Sequence, residues 1–433
     1  MRGVKKSIRL PWLAAGLLVL ALGTPSAAQA GFADLDPGFG GFGGINRTDL
    51  GGYDSARAVA VDPTGQIVAA GAGALNDPSR PGGTALTVVR LNENGYYDPA
   101  FGGGDGIVQA DPGRYTAEFE SVGFDPRGRI VAVGTATGFD GAGSNLVVAR
   151  YLPDGTLDPS FGTGGLVTLG GSGIWLGVDS LTDGDELFVL ALTDGPGGAR
   201  PTVLRLQPDG TIDPSFGPDG QLRLVTPKLE RATSMVRSGD DLLISGTTTG
   251  GAIAAAKLTA DGDIARDWGR AGFAAVKFPG RSDGYAVAVD VRGRALLAGE
   301  CLCTRGPSAA VARLSRGGDL DESFDDDGRR TFRLGGENSG SEAVAMTTDG
   351  GRKAILGVVV ANGGNRRSSL VRLTGDGSFD RKFSGDGVTS PGYGAGFGGD
   401  VVADLTRDGS GRILAADTLF GATPDFVVAR FKR

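Results

Sequence analysis

The sequence has no histidine, two cysteines and three methionines among its 433 residues. The absence of histidine excludes a Ser-His-Asp triad, a Cys-His pair, and any zinc, iron or haem site that depends on imidazole. Two cysteines cannot build a disulfide scaffold or a structural zinc site. Beyond residue 30 there is no long apolar run, and no segment keeps a helical period of apolar residues. Glycine, by contrast, is abundant: 78 residues, about 18 % of the chain against a usual share of roughly 7 %. The glycines follow no three-residue period, which excludes collagen. The apolar share is 40 % and lies in short Val/Ile/Leu runs, which argues against disorder.

Residues 1–30 read as a secretory signal peptide. Arg2, Lys5, Lys6 and Arg9 form a basic start, Trp12 to Leu22 a short apolar run, and Ala28-Gln29-Ala30 a cleavage site. The run is shorter than the ~20 residues a membrane anchor needs. No cysteine follows the cleavage site and no anchoring tail precedes Arg433. The expectation is cleavage near Ala30 and a soluble, monomeric protein, secreted or periplasmic, without membrane insertion. Loss of the signal removes four basic residues and no acids, leaving 39 basic against 50 acidic. That balance argues against nucleic acid or an anionic membrane as partner.

Residues 31–433 are repetitive. One phrase recurs as LDPGFG (35–40), YDPAFG (97–102), LDPSFG (157–162), IDPSFG (212–217), IARDWG (264–269), LDESFD (320–325) and FDRKFS (379–384). Its aromatic falls at Phe39, Phe101, Phe161, Phe216, Trp268, Phe324 and Phe383, and a basic residue closes an apolar run at Arg90, Arg150, Arg205, Lys257, Arg313, Arg372 and Arg430. Each repeat holds four strand-like pieces rich in Val, Ile and Ala and bounded by Gly, Pro and Asp; in the first these are 56–62, 66–71, 85–92 and 106–110. Four short strands repeated seven times predict an all-β, seven-bladed β-propeller as a single domain. The phrase with its preceding Asp-Gly turn, cleanest at Leu152 to Gly162 and Gln207 to Gly217, resembles the delta-60 repeat family of exported bacterial proteins. The resemblance covers residues 35–433 and implies a β-propeller but no activity. IARDWG and the endings of the last two copies depart from the pattern.

The turn before each phrase, such as Pro153-Asp154-Gly155, suits a three-residue hairpin with a glycine bulge. That register sets Arg90, Arg150, Arg205, Arg313 and Arg372 opposite Asp98, Asp158, Asp213, Asp321 and Asp380. Lys257 faces Ala265, so the hairpin that lacks its Asp also lacks its Arg. Cross-strand ion pairs are expected, worth ~0.2–1 kcal/mol each if exposed; the alternative is a turn Asp independent of a solvated Arg. Arg430 has no Asp after it and Asp36 no Arg before it. The two halves are expected to join, so that the segment near Asp36 to Asn46 becomes the outer strand of the last blade, beside Asp425 to Phe431, and removes two open edges. The anchor Phe is read as core.

In four-stranded blades the first and third turns share one face, and the remaining connections share the other. The first set is tight and uniform; the second reads as long and varied at Ala74 to Gly83, Ala110 to Glu118, Asp194 to Pro201, Gly280 to Gly284 and Ala361 to Ser369. Variable loops on a rigid scaffold are a common way to build a binding site. Residues entering the inner strands from that face should ring the channel mouth: Arg57, Glu120, Arg231, Tyr285, Glu342 and Asp400, with Tyr53, Tyr115, Trp175 and Tyr393 close by. The leading expectation is a non-enzymatic module that binds a protein or glycan there. The alternatives are a His-independent lyase or hydrolase using carboxylates with Tyr or Arg, and a structural surface or matrix protein. Catalysis would need two carboxylates within about 10 Å, one with a raised pKa. No cofactor is expected. Asp-rich turns such as Asp325-Asp326-Asp327-Gly328 suggest Ca²⁺ only weakly, because none shows the EF-hand spacing. Cys301 and Cys303 fit either a local disulfide or two free thiols.

Overall fold

The structure, a computed structural model, describes residues 35–139, 143–171, 173–195, 198–224, 229–304, 306–336, 339–393 and 399–433. The expected signal peptide and its cleavage site lie outside the described residues. The strands form seven four-stranded antiparallel sheets. Six are continuous in sequence: 55–110, 116–169, 175–223, 231–276, 281–332 and 339–389, blades 1 to 6. Blade 7 joins the ends of the described chain. Ile45–Thr48 pairs with Pro424–Phe431, followed inward by Ile413–Phe420 and Gly399–Arg407. The chain is therefore an all-β, seven-bladed propeller closed as the sequence predicts. Regular pairing starts at Ile45 rather than Asp36, because residues 36–44 turn to tuck Phe39 inward; only Leu35 bridges Phe431 before that turn.

The core lies between blades. Phe101 of blade 1 and Phe119 of blade 2 share one buried cluster, and Phe188 and Phe216 of blade 3 pack with Met235 and Ile244 of blade 4. The repeated phrase forms a latch at these seams. Arg150 Nε donates to Asp158 at 2.8 Å, and its guanidinium lies 4.4 Å from the centre of the Phe161 ring. Its Nη1 donates to the Pro208 carbonyl in the next blade's turn at 2.5 Å. Arg90, Arg205, Arg313 and Arg430 repeat this arrangement with Asp98, Asp213, Asp321 and Asp36 and with the next turn's Pro153, Ala260, Gly375 and Glu93 carbonyls. These are not the exposed pairs the small expected energy assumed: all five arginines are at least nine-tenths buried. In blade 4, Lys257 turns to Asp241 at 2.9 Å instead.

A backbone hydrogen bond accompanies the latch. The residue after the anchor aromatic donates its N–H to the second turn residue of the next blade, as in Gly102 to Asp154 at 3.0 Å and Gly162 to Asp209 at 2.7 Å. The third turn residue then meets the anchor ring. Gly155 has φ of 91°, and a Cβ there would stand 3.0 Å from the Phe101 ring and 2.9 Å from the Gly102 nitrogen. Glycine is required at this point by both conformation and space.

Candidate functional site

The inner strands of the seven blades are Ser55–Val61, Thr116–Phe124, Trp175–Asp183, Arg231–Ser238, Arg281–Val289, Ser339–Thr348 and Gly399–Arg407. Each carries a β-bulge at the same height, at Arg57, Glu120, Val178, Thr233, Tyr285, Val344 and Ala403. A bulge leaves an unpaired residue and re-aims its side chain. Just past it, side chains satisfy amides across blades. Asp179 accepts from the Met235 N–H at 2.7 Å and the Ser121 hydroxyl at 3.0 Å. Asp404 accepts from the Val59 N–H at 3.0 Å and the Leu405 N–H at 2.7 Å. Both face a cavity of about 390 Å³ that runs toward the tight-turn end, past Arg237 and Thr348. Burial raises both carboxyls; for Asp404 the mutual repulsion of Asp179 adds to it, to about 7.

On the loop-rich side, blades 1 and 2 bring charge and aromatic surface together. Glu118 accepts two hydrogen bonds from Arg57, at 2.6 and 3.2 Å, and one from the Ser55 hydroxyl at 2.5 Å. Glu120 is exposed at this mouth, and among the described residues no hydrogen-bond donor reaches it. Desolvation by the wall and the charge of Glu118 push its carboxyl well up, against the pull of Arg57. Tyr53, 43 % exposed, faces the same three groups; desolvation and Glu118 raise its hydroxyl. Beside them Tyr115 donates to the Pro81 carbonyl at 2.8 Å and meets Phe139 edge-on at 4.9 Å, with Phe139 62 % exposed. Arg80 ties the 75–83 loop to Asp111 and to the Arg114 carbonyl, which fixes this platform.

The other half of the mouth is compensated internally. Arg231 pairs with Asp283, and Arg366 with Glu342 at 2.9 Å. The Tyr285 hydroxyl donates to Glu300 at 2.9 Å, and burial with Glu300 raises it. Three candidates lie apart from the mouth. Trp175 is half-buried against the core between blades 2 and 3. Tyr393 and Asp400 are buried near the seam of blades 6 and 7, where Tyr393 donates to Asp417 at 2.8 Å and Asp400 accepts from the Ser368 N–H at 2.7 Å. Burial pushes Asp400 up to about 6, and burial with Asp400 raises Asp417.

Two of the segments expected as loops are strand. Residues 281–284 belong to the inner strand of blade 5, and 361–369 is a hairpin closed by Gly363-Gly364 alone. Polar and glycine-rich composition misled there, because a strand at a blade rim is solvated like a loop. The longest second-to-third-strand connection, 75–83, therefore sits beside the Arg57–Glu118–Glu120 group. Sequence reasoning missed Glu118 and Phe139. The alternation Glu118-Phe119-Glu120 was the available signal for Glu118; Phe139 had none. Cys301 and Cys303 form a disulfide at the rim of blade 5. Among the described residues, no group of three or more Asp, Glu or Cys side chains is placed to hold a metal ion, and no helix is long and apolar enough to cross a membrane.

Residues 128–161, 193–216 and 355–383 match a β-propeller domain of unknown function, DUF5122. Each matched segment ends at an anchor aromatic: Phe161, Phe216 or Phe383. No curated protein matches the chain. Solved structures with similar architecture include Sqt1 of Chaetomium thermophilum, at 11 % identity and TM-score 0.44 over 90 % of this chain and 97 % of that one. Another is the sialidase of Trypanosoma rangeli, at 12 % identity and TM-score 0.42 over 89 % of this chain and 59 % of that one. A third is the acylaminoacyl peptidase of Pyrococcus horikoshii, at 11 % identity and TM-score 0.42 over 86 % and 52 %. The latch repeated around the ring, the matched segments that end on it and the seven closed sheets together make this chain a repeat protein of the β-propeller type.

Proposed function

We propose that the protein is an exported, non-enzymatic binding module that takes a glycan or protein ligand on its loop-rich face, at the mouth formed by blades 1 and 2. One contrast carries this reading. The latch recurs in most blades, whereas the bulge residues at a common height range from charged to aromatic to aliphatic: Arg57, Glu120, Val178, Thr233, Tyr285, Val344 and Ala403. Ring assembly needs the repeated part and is indifferent to the unrepeated part. At blades 1 and 2 the unrepeated part is a fixed Arg57–Glu118 pair, an unpaired Glu120 and the exposed rings of Tyr53 and Phe139. Exposed rings stack on sugar faces or apolar side chains, and an unpaired carboxyl selects donors or cations. Residues 31–433 applied to glycan and peptide arrays test this. Glu120→Gln and Phe139→Ala should each weaken the binding found by about tenfold at an unchanged melting temperature. Undiminished binding by both variants would move the site elsewhere.

A second reading, a His-independent hydrolase or lyase, has one observation in its favour. Glu118 is held by Arg57 and Ser55, while the neighbouring Glu120 is pushed toward keeping its proton. Two carboxyls in unlike environments are what acid–base cleavage of a glycosidic bond uses. Turnover of a bound glycan that Glu120→Gln abolishes without loss of binding would support this reading over the first.

A further inference from the structure

Arg372, the remaining arginine of the repeated hairpins, uses one of its three donor nitrogens among the described residues. Arg90, Arg150, Arg205, Arg313 and Arg430 each give Nη1 to a turn carbonyl of the following blade. Arg150, Arg205 and Arg313 also give Nη2 to a serine two residues past the paired Asp: Ser160, Ser215 and Ser323. Arg372 keeps the Nε bond to Asp380 at 2.8 Å and the stack on Phe383 at 4.7 Å. Its Nη1 and Nη2 meet no acceptor among the described residues. Two local causes account for that. The blade that follows is blade 7, whose outer strands Pro424–Phe431 and Ile45–Thr48 lie at opposite ends of the described chain, and among the described residues no tight turn joins them. The place of the serine is held by Lys382, whose ammonium cannot accept a hydrogen bond.

The unused fork opens into a cavity of about 170 Å³ between blades 6 and 7, on the tight-turn side. Arg372 itself is only 9 % exposed. Lys353, Arg407 and Arg433 add three cations to the lining, and Asp349 is the one acid in it. Asp349 is already engaged, since its Oδ1 accepts from the Gly351 and Lys353 amides at 2.9 and 3.2 Å. Lys353 reaches Asp380 at 2.8 Å, which fixes its ammonium beside the fork. Arg407 is laid over the neighbouring turn: a Cβ at Gly350 would stand 2.7 Å from its Nη2. Even with Asp380 counted, cations outnumber acids here, the reverse of the whole chain with its 43 basic and 50 acidic residues. Clustered cations repel one another unless an anion joins them, and two guanidinium N–H groups match two oxygens of a phosphate.

We propose that the seam of blades 6 and 7 binds a tetrahedral oxyanion, a phosphate or phosphoryl group, on Nη1 and Nη2 of Arg372, with Lys353 and Arg407 as further donors. An anionic oxygen there takes the place that a turn carbonyl holds at the other latches. The site lies on the face opposite the ligand mouth, so the two readings stand or fall separately. Calorimetric titration of residues 31–433 with inorganic phosphate, at low ionic strength and against a chloride control, tests it. Saturable one-to-one binding is expected. Arg407→Ala, a change outside every latch, should weaken it by about tenfold or more, and Glu120→Gln should leave it unchanged. Arg372→Lys keeps the cation but loses the fork and should abolish the binding; if that variant does not fold, Arg407→Ala decides. No saturable phosphate binding by the unmodified chain, or binding that Arg407→Ala leaves intact, would overturn the proposal. Glucose 6-phosphate separates the two sources of the group. Displacement of phosphate by it would support a phosphoryl group carried on a larger ligand, and phosphate binding that it does not displace would support the free anion.

Discussion

At the residue scale the latch arginine is the most connected side chain of the seam. Arg313 is 1 % exposed, pairs with Asp321, stacks 4.9 Å from the Phe324 ring centre and donates to the Gly375 carbonyl. Removing it would leave the Gly375 carbonyl without its latch donor and take from Asp321 one of its two arginines, with Arg294 and Ser323 remaining. Arg313→Ala should therefore destabilise the ring by about 3–5 kcal/mol in denaturant unfolding. Arg313→Lys should recover only part, since an ammonium cannot serve three partners set in a fork. Ser384 points the other way. Its φ is 52°, where L-residues are strained and five of the seven repeats carry glycine, so Ser384→Gly should stabilise by about 0.5–1 kcal/mol. Two sets of carboxyls give stability opposite pH slopes. Burial would raise Asp158 and Asp321, but the hydroxyls and amides of Ser160 and Ser323 and the latch arginines outweigh it and hold both at about 2. Their contribution is present above the unfolded value of 3.8 and is lost as pH falls toward 2. Asp400 and Asp404 are raised to about 6 and 7, so the folded chain holds protons the unfolded chain has lost, and stability declines as pH rises from 3.8 through those values. The melting temperature should peak near pH 4, and a profile rising steadily to pH 8 would contradict these assignments.

At the scale of the element, the repeated hairpin and the inner strand were legible, but the bulge in the inner strand was not. The eight-residue spacing of Arg150 and Asp158 across a Pro-Asp-Gly turn fixed its register in advance, because turn chemistry and charge pairing act within a few residues. The turn glycine follows from the same local rule, and the structure adds a second demand from the neighbouring ring. Gly155→Ala should accordingly cost more than the ~1–2 kcal/mol of a left-handed alanine alone, since its methyl would press on Phe101. Chemical denaturation of that variant measures it. The bulges have no such local signature. Arg57, Val178 and Tyr285 share a backbone distortion but no chemistry. Which of Glu118 and Glu120 would meet Arg57 depended on that distortion. Tyr393 was read at the mouth because its partner, Asp417, belongs to another blade; only the stacking of blade 7 on blade 6 buries the pair.

For the molecule as a whole, a repeated seam, altered after blade 4 where Lys257 stands in place of the latch arginine, builds the ring, and the ring frees its two faces to differ. The tight-turn face is largely taken up by the latch: among the described residues six turns receive an amide and a ring from the blade before, and five of those also receive an arginine. The other face keeps its side chains for solvent, with the longest second-to-third-strand loop and the exposed aromatics on blades 1 and 2. Ring order and closure could be read from the phrase count and from the unmatched Asp36 and Arg430. The uneven distribution of loops around the face could not, because glycine-rich hairpins such as 361–369 look like loops in sequence. The central claim is that the mouth of blades 1 and 2 takes the ligand while the latch only holds the ring. It is tested most directly by one array experiment on residues 31–433, with the unmodified chain, Glu120→Gln, and Arg329→Ala on the opposite half of the ring. The account predicts that Glu120→Gln loses about tenfold or more of the signal and that Arg329→Ala keeps it. Loss of binding with Arg329→Ala, alongside full binding by Glu120→Gln, would contradict it.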